Sequence, residues 1–130
     1  MATVPSEPGK TILVADDDAN VTMSITAYLQ SLGYRTVSAP DGEAAMTAIK
    51  DDRPDLAILD IEMPKGSGIV ITRELRSNPD RALRAIPVII LTAKADTRHE
   101  AYSDAAGATA FLAKPVALSD LADKVKDLLA

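Results

Sequence analysis

Five short strand-like runs, most of them apolar, alternate along this chain with longer segments whose apolar residues recur three and four positions apart. Thr11 to Ala15 leads into Asp16, Asp17 and Asp18. Tyr34 to Ala39 is the second run, Leu56 to Leu59 ends at Asp60, Pro87 to Leu91 at Thr92, and Ala110 to Ala113 at Lys114-Pro115. Each has the length of a buried strand. The segments between them read as helices. Val21, Ile25, Tyr28, Leu29 and Leu32 keep helical spacing until Gly33 stops them. Asp41 can cap a helix that buries Ala44, Ala45, Ala48 and Ile49. Ile69, Thr72 and Leu75 mark a helix expected to fade in the polar stretch Ser77 to Asp80. Asp96 to Ala106 is Ala-rich, with Tyr102 its one large apolar residue, and should sit loosely on the sheet. Leu118, Leu121, Val125 and Leu128 form a clean stripe on the last helix.

Strand and helix in strict alternation predict an α/β fold: a parallel sheet covered by helices on both faces. With right-handed crossovers, the common doubly wound order for five strands is 2-1-3-4-5, the flavodoxin-like arrangement. Strands one and three are then neighbours at the switch point. Asp16 and Asp17 should stand beside Asp60, with Thr92 and Lys114 on the same sheet edge.

A chain of 130 residues, 47% of them hydrophobic, holds one domain with one sizeable core. Residues 1–9, with Pro5, Pro8 and Gly9, read as a flexible leader without the basic and apolar regions of a signal peptide, and residues 10–130 as the domain. The chain ends with its last helix, so no effector domain is expected within it, and its start at Met1 weighs toward a stand-alone unit. The apolar runs are too short to span a bilayer. A net charge of -5 argues against direct binding of nucleic acid or an anionic membrane surface. The absence of cysteine removes disulfides and thiolate metal sites and suits a reducing cytoplasm.

The acidity has a local use. Carboxylates crowded at one sheet edge repel one another unless a cation neutralises them. Oxygen-only ligands with no His or Cys suit Mg2+, with Mn2+ as an alternative. Lys114 offers an ammonium and Thr92 a hydroxyl, both suited to the oxygens of a phosphoryl group. The set predicts phosphoryl transfer onto a carboxylate, with Asp60 as nucleophile.

These motifs in combination, namely Asp16-Asp17 after the first strand, Asp60 with Met63-Pro64 and Gly68, Thr92-Ala93, and Lys114-Pro115, resemble the receiver domain of two-component response regulators. The resemblance is to the single-domain chemotaxis type and covers Lys10 to Ala130. It implies a domain that promotes its own phosphorylation and slow dephosphorylation and is not otherwise an enzyme. Asp60 resembles the phosphoacceptor, Asp17 a direct metal ligand, Asp16 a ligand through water, and Glu62 the position whose backbone carbonyl completes the shell. Thr92 resembles the switch hydroxyl, Phe111 the switch aromatic, and Lys114 the cation paired to the phosphoryl group, in a Lys-Pro bond that is typically cis in the family. The implied donor is a phosphohistidine on a sensor histidine kinase or histidine phosphotransfer protein. The implied output is a downstream protein bound through the fourth helix, fifth strand and fifth helix. Glu62 and Lys94 flank the path of an attacking water and are expected to pair and slow hydrolysis. Ser67, where Asp or Asn is usual, and Val116, where Phe is frequent, depart from the common pattern.

Other readings stay open. Asp16 and Asp18 have the spacing of the nucleophile and acid of a haloacid-dehalogenase-type phosphatase, although that reading leaves Asp60 without a role and the chain without a cap domain. A flavodoxin-like flavin site shares the topology, but its first loop should be rich in Ser, Thr and Gly. A pseudo-receiver scaffold, never phosphorylated, is the third. Asp18 reads first as a solvated helix-start residue and His99 as a surface residue. Arg73, Arg76, Arg81 and Arg84 read as a solvated face, with a partner contact as the minor alternative.

Overall fold

The computed structural model describes residues 9–93 and 97–130, without the side chains of residues 97–100. The expected leader therefore lies outside the described residues except for Gly9. Five parallel strands, β1 (Thr11–Ala15), β2 (Arg35–Ala39), β3 (Leu56–Asp60), β4 (Val88–Thr92) and β5 (Ala110–Ala113), form one sheet in the order β2-β1-β3-β4-β5. This is the predicted doubly wound order.

The helices are α1 (Ala19–Ser31), α2 (Gly42–Asp52), α3 (Gly68–Arg76), α4 (Arg81–Arg84), α5 (Thr97–Ala106) and α6 (Leu118–Leu129). Only the four-residue α4 has no counterpart in the sequence reading. Asp80 nucleates it by accepting from the Ala82 and Leu83 amides, and Leu83 is buried beneath it. One turn carries no periodicity to detect. The segments expected to be the fourth and fifth helices are therefore α5 and α6.

Alternate residues of the strands face opposite sides of the sheet and build two cores. Leu13, Ala57, Leu59 and Ile90 pack with Ile49 of α2 and Ile71 and Leu75 of α3. Ile12, Val14, Ile58 and Ile89 pack with Ile25 and Leu29 of α1 and Leu121 and Val125 of α6. β3 and β4 are buried along their whole length, as central parallel strands must be. β5, at the sheet edge, is only half-covered. No helix among the described residues is long and apolar enough to cross a membrane.

Candidate phosphoryl-acceptor site

The register fixes which side chains meet. Ala15 pairs with Leu59, Asp60 with Leu91, and Thr92 with Ala113, so the residues that end or follow each strand emerge along one edge. Carboxylate oxygens of Asp16, Asp17 and Asp60 all lie within 4.8 Å of one another there. Asp17 is exposed, whereas Asp16 and Asp60 are only 2% and 4% exposed. Asp16 Oδ1 accepts from the Asp18 amide at 2.9 Å. Its buried Oδ2 lies 2.7 Å from Lys114 Nζ, and the same ammonium is 3.4 Å from Asp60 Oδ2. One lysine thus bridges two buried carboxylates.

The electrostatics follow from that crowding. Burial, and then the Asp16 charge, push the Asp60 carboxyl up to about 6, against the lowering pull of Lys114 and of a hydrogen bond from the Glu62 backbone N–H. Burial pulls the Lys114 ammonium down, but its contacts with Asp16 and Asp60 more than offset this and its pKa is raised. Among the described residues a single ammonium stands against three carboxylates, which leaves the edge short of positive charge. The donor set, all oxygen with one exposed and two buried members, fits a hard divalent cation.

The loop after β3 is held where Asp60 needs it. Gly68 opens α3 directly against the acceptor: a Cβ there would stand 2.6 Å from the Asp60 carbonyl oxygen. Ser67, the departure from the usual Asp or Asn, caps the helix by accepting from the Val70 amide at 3.2 Å. On the other flank Thr92 is fully buried, and its carbonyl accepts from the Lys114 amide at 2.7 Å. The Lys114–Pro115 peptide is cis, as the resemblance implied. Phe111 is half-buried against the core that lies under α2 and α3.

Asp16, Asp17, Asp60, Thr92 and Lys114 thus come together on one edge, and Glu62 reaches Asp60 through its backbone. Phe111 stands on β5 and away from the carboxylates along the strand. Lys94 lies outside the described residues, and with it the expected Glu62–Lys94 pair; the His99 side chain lies outside them as well. Asp18 caps α1, accepting from the Asn20 and Val21 amides, which occupies the residue that the phosphatase reading needs as its acid. One reading of the arginines is corrected. Arg76 is half-buried, donating to the carbonyls of Gly107 at 2.9 Å, Arg84 at 2.9 Å and Ile86 at 2.7 Å, because the turns that end α4 and α5 leave those carbonyls without helix partners. Burial lowers its pKa accordingly.

The sheet order and the carboxylate-lined edge define an α/β protein of the flavodoxin-like class with its site at the carboxyl ends of the strands. Within that class the chain belongs to the response regulator receiver domain family, whose model matches residues 12–126. It is 38% identical over 118 residues to the response regulator MprA of Mycolicibacterium vanbaalenii, covering 91% of this chain and 49% of that protein. The MprA of Mycobacterium avium gives 38% over 118 residues, 91% and 50%. The chain therefore spans about half the length of the curated relatives it matches. Among solved structures, the signal receiver domain of a signal transduction histidine kinase from Syntrophus aciditrophicus superposes with a TM-score of 0.85 at 36% identity, covering 93% of this chain and 90% of that one. A CheY-like response regulator receiver domain protein from Methanospirillum hungatei gives 0.85 at 30%, covering 93% and 94%.

Proposed function

We propose that this domain takes a phosphoryl group from a phosphohistidine donor onto Asp60 and reports the change through a protein-binding surface. The observation that carries the reading is the bridge from Lys114 to both Asp16 and Asp60 beside a carboxylate cluster fit for a cation. Asp60 in its ionised form attacks phosphorus through a carboxylate oxygen. The P–N bond to the donor imidazole breaks, its electron pair leaves with the ring nitrogen, and an acyl phosphate remains. Lys114 is already within reach of the acceptor oxygen and pairs with the transferred oxygens. Thr92, at the end of the adjacent strand, donates its hydroxyl to them. Asp16, Asp17, Asp60 and the Glu62 carbonyl would hold Mg2+, or Mn2+, which supplies neutralisation of charge on the transferring group. The chain acts on itself, promoting its own phosphorylation and slow dephosphorylation, without turnover of a released substrate.

A groove of about 560 Å³ lies beside Lys114, lined by Val21, Ser24 and Ile25 of α1 and by Pro115, Val116 and Leu118. It supports delivery of the phosphoryl group by a protein, a sensor histidine kinase or a histidine phosphotransfer protein, whose apolar surface seats there. The output surface is that of α5, β5 and α6, with Thr92 and Phe111 as the residues whose rearrangement reaches it. A cytoplasmic site of action follows from such donors.

The test is the intact mass of the chain after incubation with acetyl phosphate, with and without Mg2+, beside Asp60→Asn. A Mg2+-dependent gain of one phosphoryl group, absent from the variant, is expected. No gain but steady release of phosphate from model esters would replace the reading with a phosphatase; neither gain nor turnover would replace it with a binding scaffold.

A further inference from the structure

The loop that follows the acceptor is pinned from outside the site. Its residues Pro64, Lys65 and Gly66 run against the start of α2, where Gly42 is buried. The Gly42 amide donates to the Pro64 carbonyl at 2.9 Å. A Cβ on Gly42 would stand 2.4 Å from the Gly66 carbonyl oxygen, 2.5 Å from that of Lys65 and 2.7 Å from the Gly66 Cα. All three are backbone atoms, so no side chain can swing aside to make room. The loop has little latitude on its side: Lys65, at φ 60°, sits in the small left-handed basin open to a residue with a side chain, and Gly66, at φ 127°, takes a conformation that favours glycine.

What this contact holds is chemically specific. Met63, one residue before Pro64, is buried in the core under α2 and α3, and Glu62, two before, sends its backbone N–H to the Asp60 carboxylate. At the far end of the loop Gly68 abuts the Asp60 carbonyl. A displacement of Lys65 and Gly66 by the ångström that a methyl group demands therefore propagates into the hydrogen bond at the acceptor and into the carbonyl of the same residue. The Asp41 cap fixes α2 independently, its Oδ1 accepting from Ala44 at 2.7 Å, so the helix start cannot easily retreat instead.

We propose that Gly42 is a positioning residue for the acceptor site, its bare Cα and its amide holding the 61–67 loop so that Asp60 and the Glu62 backbone stand in cation-binding geometry. The proposal rests on the acceptor reading given above and adds a residue that touches none of the reacting atoms. Binding and positioning are reciprocal, so a cation at the carboxylates must in turn strengthen the Gly42 contact.

Two measurements test it, and neither depends on phosphorylation. Calorimetric titration with Mg2+ is expected to show at least a tenfold weaker dissociation constant for Gly42→Ala than for wild type. Ile49→Val, a buried change on the same helix, should leave the constant within twofold, separating positioning from general loosening of α2. In the wild-type chain, Mg2+ is expected to slow exchange of the Gly42 amide at least tenfold, which keeps the test available if Gly42→Ala does not fold. Folded Gly42→Ala with wild-type Mg2+ affinity, equal weakening by Ile49→Val, or a Gly42 amide indifferent to bound Mg2+ would each overturn the proposal. No Mg2+ binding by wild type at all would instead fall on the acceptor reading.

Discussion

The two flanks of the acceptor edge are built to different standards. On one flank, β1 and β3 are buried along nearly their whole length, the carboxylates rise from them, and the loop after Asp60 is pinned by Gly42 and Gly68. On the other, β5 is half-covered, and α5 turns Tyr102 58% into solvent while burying Ser103, whose hydroxyl has no hydrogen-bond partner among the described residues. The turn between α5 and β5 is held by polar contacts, the Arg76 guanidinium on the Gly107 carbonyl and beside the Thr109 hydroxyl. The first flank can hold a charged group in fixed geometry; the second has little packing to lose when it moves. A domain that both binds and reports needs that inequality.

The largest expected consequence is in packing. Leu59→Ala on β3 should cost about 4 kcal/mol and Leu112→Ala on β5 about 2 kcal/mol, read from urea unfolding. Equal costs would break the comparison.

Next in size is the acceptor itself. Asp60 titrates near 3.8 when unfolded and about 6 when folded, so between those values the folded chain keeps a proton that the unfolded chain has released. Stability from this group is thus present below about pH 4 and lost as pH rises through 6. In metal-free buffer at pH 7, Asp60→Asn should be more stable than wild type by about 2 kcal/mol, less than the full shift because solvent screens part of the charge, with the gap closing as pH falls toward 4. A gap independent of pH would remove the electrostatic account of the site.

Arg76→Met, which keeps the aliphatic stem and removes the guanidinium, should cost about 2 kcal/mol and speed exchange of amides at the α5–β5 turn, because partly buried carbonyls lose their donor. The smallest effect sharpens the same contrast. Ser103→Ala removes a buried hydroxyl that has no partner among the described residues and should raise stability by about 1 kcal/mol, where most buried substitutions lower it.

Much of the rigid flank was legible in the sequence because its signals are residue types at strand ends. An apolar run meeting Asp60, or three aspartates after Ala15, announces a sheet edge before any register is known. The single turn of α4 was not legible, since four residues cannot display a period. Nor was the burial of Arg76: an arginine among other arginines looks solvated, and only the carbonyls left open by the surrounding turns draw it in. Gly42, directly after the Asp41 cap, carries no signal in the sequence, because a close approach between two backbones leaves no pattern in either stretch. The weak amphipathicity of α5 was visible, yet which of its residues turn inward was not, and the structure places a serine where an apolar residue would pack better.

The central claim is that one flank holds the phosphoryl group and the other reports it. Residue-resolved amide exchange of the chain with Mg2+, before and after treatment with acetyl phosphate, tests it most directly. The account predicts changes of tenfold or more concentrated in α5 and β5, with β1 and β3 unaltered. Changes spread evenly through the sheet, or confined to β1 and β3 while α5 stays as it was, would contradict it.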